Sequence, residues 1–139
     1  MAATFRFEVY TPYRLFFADY VESVSMTLVD GEIEILAQHS AFTAPVETCV
    51  LRVITQKGER HYAFISTGIL EVTEVKTVLM VDSADWSEEI DTERAVVSGN
   101  KARENLNNAL LKFEVDYAKN ELKRSEVRMK VVEMQKSLK

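Results

Sequence analysis

Trp86-Ser87-Glu88-Glu89-Ile90-Asp91-Thr92-Glu93-Arg94-Ala95 is where the texture of this 139-residue chain changes. Before Ile90, apolar and polar residues alternate in short runs. After it, apolar and small residues recur every three or four positions, the spacing of one helical face. Asp91 stands where a helix N-cap belongs, with Arg94-Ala95 in the first turn. The charge divides at the same place. Residues 1–90 hold 6 Lys and Arg against 14 Asp and Glu, whereas residues 91–139 hold 11 against 8. Three of the four glycines and both prolines precede residue 69. Two units follow from this: an acidic unit of residues 1–88, and a basic one of residues 89–139.

Working towards the N-terminus, Phe5, Phe7 and Val9 alternate with Arg6 and Glu8, and Val24, Met26 and Leu28 with Ser23, Ser25 and Thr27. A period of two buries one set and leaves the other in water. Strands are also expected at Glu32–Leu36, Val50–Gln56, Arg60–Ser66, Ile69–Val72 and Thr77–Asp82. Asp30-Gly31, Lys57-Gly58 and Thr67-Gly68 punctuate them, and Lys57-Gly58-Glu59 reads as a hairpin turn. Strands this short and regular predict an antiparallel sandwich or barrel.

Working towards the C-terminus, Ala95, Ala102, Leu106 and Ala109 predict one helix leaving at Asn107-Asn108, with Gly99 weakening it by about 1 kcal/mol relative to alanine. Val115, Ala118, Leu122, Ser125, Met129 and Val132 predict a second helix. Its stripe is a narrow seam, suited to one partner helix and too thin for a core. Together they predict an antiparallel helical hairpin that is lightly held.

Apolar residues make up 47% and charged residues 28%, the balance of a globular chain that buries a core. No run approaches the roughly 18 apolar residues of a membrane-spanning helix. Met1 to Val9 shows no basic region followed by an apolar block, so no secretory signal is expected. One cysteine, Cys49, excludes an internal disulfide and fits a reducing compartment. A net charge of −5 argues against general nucleic-acid binding. Two histidines and one cysteine argue against a zinc site.

Few residues invite chemistry. His39 and His61 read as surface or edge-strand histidines, with neither a nucleophile elbow nor a phosphate loop in the chain. Asp82, Asp85, Glu88 and Glu89 lack EF-hand spacing and read as a solvated linker leading to a helix start. Cys49 reads as a small apolar residue, and Trp86 as a packing anchor between sheet and helix. Lys119, Lys123, Arg124, Arg128 and Lys130 lie off the apolar seam of the second helix. They form either a solvated face or a docking face for an acidic surface, and the chain's own N-terminal unit is one such surface.

Three segments in order carry a resemblance: Gly31-Glu32-Ile33 ahead of His39, Ser66-Thr67-Gly68-Ile69-Leu70-Glu71-Val72, and Ile90-Asp91-x-x-Arg94-Ala95 opening the helices. Over essentially its whole length the chain resembles the epsilon subunit family of bacterial F-type ATP synthases. The resemblance implies a ten-stranded antiparallel β-sandwich followed by a two-helix antiparallel hairpin. It implies a non-catalytic rotor subunit of the central stalk, peripheral on the cytoplasmic face of the bacterial plasma membrane without inserting into it. The sandwich would bind the gamma subunit and rest on the c-subunit ring. The hairpin would fold against the sandwich, or extend along gamma into the alpha/beta catalytic head and inhibit ATP hydrolysis. In that state Lys119, Lys123, Arg124, Arg128 and Lys130 would face acidic segments of the beta subunits.

Residue by residue, Glu32 matches the position that meets the c ring, and His39 a histidine at the gamma contact. Ile90, Asp91, Arg94 and Ala95 match a motif that holds regulatory ATP in many members. The chain departs from that pattern in three places. Glu34-Ile35-Leu36-Ala37-Gln38-His39 lacks the two glycines and the proline usual there. Lys101 replaces an arginine seven residues after Arg94. Glu126 and Lys130 stand where two second-helix arginines are expected, with Arg124 and Arg128 nearby. No cofactor is required by this reading, and ATP binding is expected to be weak or absent, since a planar fork of donors is lost and a carboxylate introduced. Two other readings are a soluble ATP-sensing regulator acting through the hairpin and a small enzyme using His39 or the acidic run.

Overall fold

A computed structural model describes residues 3–138. Nine strands precede two helices: β1 (Phe5–Tyr10), β2 (Leu15–Leu28), β3 (Gly31–Leu36), β4 (Phe42–Val46), β5 (Cys49–Thr55), β6 (Arg60–Ile65), β7 (Gly68–Val72), β8 (Thr77–Val81) and β9 (Ala84–Trp86), then α1 (Thr92–Asn108) and α2 (Lys112–Lys136). A single 3-10 turn, Ser87–Glu89, joins the two parts.

The strand count is nine where the resemblance implied ten, because β2 serves twice. Its first half pairs with β1, and its second half lies between β3 and β5. A register shift between Val21 and Ser23 lets the strand bend from one layer into the other. One layer is β4, β7, β8, β1 and the first half of β2. The other is β3, the rest of β2, β5, β6 and β9. One pairing departs from the antiparallel expectation: β1 and β8 run parallel. The reason is parity. β1, β2, β4, β7 and β8 close a ring of five, four of whose contacts are antiparallel. Four reversals return the chain to its starting direction, so the fifth contact must be parallel.

The core fills the space between the layers. Phe7, Val9, Leu70, Leu79 and Val81 from one side meet Val24, Ile35, Leu51, Val53 and Ile65 from the other. Gly68 is required where β7 meets β8: a Cβ there would stand 1.9 Å from the Met80 carbonyl oxygen. Trp86 packs within this unit, stacking on Phe16 at 4.6 Å between ring centres, and not against the helices as the sequence suggested. As the last residue of β9 it is paired to Ala63, so its ring is drawn to the sandwich.

The helices start and end near the expected residues. Asp91 is the N-cap of α1, its Oδ1 accepting from the Arg94 N–H at 3.1 Å. Ala95, Gly99 and Ala102 of α1 are buried against Ala118, Ser125 and Val132 of α2. α2 carries a second face that the seam reading missed. Val131, with Val127 and Met134 beside it, packs on Tyr62 and Phe64 of β6, and Val50 and Ile90 join them. Successive residues Tyr62, Ala63, Phe64 and Ile65 are all buried, so β6 is covered on both faces. Beyond the end of β9, the free edge of β6 is closed by Gln135, whose Oε1 accepts from the Tyr62 N–H at 2.9 Å.

Candidate functional site

The contact between α2 and the sandwich is built from charge around a small apolar centre. Arg124 and Arg128 are one helical turn apart and share a face of α2. Both guanidinium groups lie near the Phe64 ring, at 4.1 Å for Arg128 and 5.5 Å for Arg124. The Arg124 Nη2 donates to Ser83 Oγ at 2.9 Å. The Arg128 Nε stands 3.7 Å from Asp85 Oδ2. Burial, then repulsion from Arg124, pulls the Arg128 guanidinium below its ordinary range, with Asp85 working the other way. It remains charged, as arginine does in proteins. Further along, Lys123 Nζ reaches Glu47 Oε2 at 3.4 Å. Three of the five basic residues singled out on α2 thus face the chain's own acidic unit. Lys119 and Lys130 are exposed and form no ion pair among the described residues.

The candidate nucleotide positions are only partly assembled. Ile90 packs in the cluster around Phe64, so it joins Arg124 and Arg128. Asp91 is engaged as a helix cap. Ala95 is buried between the helices. Arg94 and Lys101 are exposed on α1 with no ion pair among the described residues. Glu126 and Lys130 line a shallow cleft between α1 and α2, with Ala95, Arg103 and Glu133. Of the candidate guanidinium groups, those of Arg124 and Arg128 are engaged by Phe64, Ser83 and Asp85, and that of Arg94 is exposed on a different helix.

The other two positions lie on separate surfaces. Glu32 is exposed on β3, an edge strand paired only with β2. It borders a groove beneath α2 that Lys123 and Met134 also line. His39 is half-buried at the start of the link to β4, its ring 5.2 Å from that of Phe42. Its Nδ1 lies 2.9 Å from the Ser40 carbonyl. Just before it Gln38 adopts φ 66°. That is how the chain turns without the glycines expected there. No cluster of metal-ligating side chains occurs among the described residues.

Residues 4–87 match the family described as ATP synthase, Delta/Epsilon chain, beta-sandwich domain. An ATP synthase epsilon chain of Clostridium novyi is 41% identical over 106 residues, 76% of this chain and 81% of that one. One from Caldicellulosiruptor saccharolyticus is 37% identical over 131 residues, 94% of this chain and 95% of that one. The chain belongs to the ATP synthase epsilon chain family. Its fold is also that of a chain in the mitochondrial ATP synthase of Euglena gracilis, with TM-score 0.83 and 18% identity over 95% of this chain and 83% of that one. No helix among the described residues is long and apolar enough to cross a membrane.

Two features of this epsilon-family chain escaped the sequence reading. Tyr10, Ile69 and Met80 form an exposed apolar strip on the outer face of β1, β7 and β8. Their alternation with core residues is legible, but alternation assigns them to water. Their common character shows only when β1 and β8 are known to be neighbours. Beside the strip, Glu8 accepts from Tyr10 Oη at 2.7 Å and pairs with Arg6 and Lys76, each at 3.1 Å. The Tyr10 hydroxyl first, then the Arg6 and Lys76 cations, hold its carboxyl at about 2.

Proposed function

We propose that this chain is the non-catalytic epsilon subunit in the central-stalk rotor of an F-type ATP synthase, where it couples gamma rotation to the ion-driven c ring and restrains ATP hydrolysis through a mobile hairpin. Family membership supports the subunit assignment. One observation supports the mobile hairpin. Its hold on the sandwich is a small apolar cluster ringed by charge, set beside a sandwich core of 18 buried residues. A thin contact built on cations is one that an acidic competitor can replace.

In this reading the gamma subunit covers the apolar strip of Tyr10, Ile69 and Met80 and reaches His39, and the c ring meets Glu32. Extended, the hairpin presents Lys119, Lys123, Arg124, Arg128 and Lys130 to acidic segments of the beta subunits. The assembly sits peripherally at the cytoplasmic face of the bacterial plasma membrane. Regulatory ATP has to displace Arg124 and Arg128 from Phe64, Ser83 and Asp85, so its binding is weak or absent. A titration giving micromolar affinity overturns that part.

The test of the whole is truncation after Asp91 in the assembled enzyme. Assembly and coupled synthesis are expected to persist while ATP hydrolysis rises. Unchanged hydrolysis removes the inhibitory role, and failure to co-purify with gamma removes the rotor assignment.

A further inference from the structure

Two guanidinium groups on one turn of helix repel each other. Here that cost is offset by three groups of the sandwich: the Phe64 ring face, the Ser83 hydroxyl and the Asp85 carboxylate. The ring is fully buried and cannot turn away, so it offers the cations a fixed platform. An aromatic face binds a guanidinium more strongly as water is excluded, and Arg128 is only 25% exposed.

We propose that Phe64, Ser83 and Asp85 form an internal clamp that masks Arg124 and Arg128, so that the closed hairpin and the inhibitory hairpin compete for the same two cations. The proposal rests on the reading above that the extended hairpin engages an acidic surface of the catalytic head. With both guanidinium groups held on the sandwich by Phe64, Ser83 and Asp85, they cannot at the same time reach a carboxylate of the catalytic head, and the two states exclude each other. Lys119 and Lys130 are exposed in the closed state and do not discriminate between them. An unusual consequence follows from population shift: a change that weakens the clamp but leaves the arginines intact populates the extended state and deepens inhibition. Replacing an arginine weakens both states, and the effects oppose.

The experiment pairs two readouts on the full chain. Phe64→Leu and Asp85→Asn are compared with the unaltered protein by amide hydrogen exchange, and in the assembled synthase by ATP hydrolysis. Asp85→Asn guards against a packing defect at the buried Phe64. Exchange in α2, and at the Tyr62 N–H that Gln135 covers, is expected to speed by about tenfold, with β1 to β4, β7 and β8 unchanged. Hydrolysis is expected to fall several-fold in both variants, and not to fall in Arg128→Gln. Unchanged α2 exchange in both variants refutes the clamp. Faster exchange without a fall in hydrolysis refutes the competition, provided truncation after Asp91 raises hydrolysis. Where truncation leaves hydrolysis unchanged, the inhibitory reading fails and takes the competition with it, while exchange still decides the clamp.

Discussion

At Gln38 the backbone stands at φ 66°, in the left-handed region that favours glycine. The His39 N–H donates back to the Leu36 carbonyl at 3.3 Å, so the turn is closed. A side chain in that region costs about 1–2 kcal/mol, and glycine returns part of the gain as unfolded-state entropy. Gln38→Gly is therefore expected to stabilise the chain by about 0.5–1 kcal/mol, read as a higher urea midpoint with an unchanged slope. Glu8 makes a second prediction at this scale. Its folded carboxyl titrates at about 2, below the ordinary 4.5. A depressed carboxyl stabilises the fold above its unfolded value, and the benefit disappears as pH falls from 4.5 to 2. Glu8→Gln should be less stable than the unaltered chain at neutral pH, with the two urea-midpoint curves converging near pH 2. Curves that stay parallel across that window would show that the network does not bind the charged form. Not every such detail was legible. Asp91 could be read as a cap from its spacing to the first helical turn. The ring under Arg124 and Arg128 could not, because Phe64 is 60 residues earlier in the chain.

Among the elements, legibility followed how regular the alternation was. β1 appears within a residue or two of where period two puts it, and β3, β5, β6, β7 and β8 within a residue or two of the strand-like runs marked off by turn signals. The first half of β2 was missed because its bulge breaks the phase: Phe16 is buried, then Val21, then Val24 and Met26. β4 carries Pro45, which reads as a breaker. β9 is three residues inside an acidic run. The second face of α2 was hidden because Ala118 and Ser125 make the first one look complete. Its signal was in β6 instead, where Tyr62-Ala63-Phe64-Ile65 runs apolar without alternation and so asks for a cover on each side. Gly68 carries the prediction at this scale. A Cβ would meet the Met80 carbonyl oxygen at 1.9 Å and the Val81 Cα at 2.7 Å, both backbone atoms that yield only if the strands part. Gly68→Ala is expected to cost about 2–3 kcal/mol, measured by urea denaturation. A loss below about 0.5 kcal/mol would mean that β7 and β8 separate freely.

Over the whole molecule, stability is unevenly distributed. The sandwich closes on itself through β2 and the parallel β1–β8 contact, and its core is continuous across both layers. The hairpin adds a small cluster centred on Tyr62, Phe64 and Val131. At about 1.5–3 kcal/mol for each large side chain fully buried, that cluster is minor beside the sandwich core, and ordering α1 and α2 opposes it. The link between the units is itself fixed on the sandwich side. Arg14 holds Glu89 through two bonds of 2.9 Å, and Glu89 Oε1 accepts from the Trp86 N–H. Motion of the hairpin is thereby confined to the few residues between Glu89 and the Asp91 cap. The single tryptophan makes this division measurable, since Trp86 is stacked on Phe16 in the sandwich while the helical signal comes from α1 and α2. Tryptophan fluorescence and far-ultraviolet circular dichroism should give different urea transitions on the same sample, with helical signal lost first. Added salt should widen the gap, because Lys123–Glu47 and Arg128–Asp85 are partly exposed and screened. Coincident transitions at every salt concentration would mean that the helices and strands unfold as one unit, leaving no separable hairpin to act as a brake.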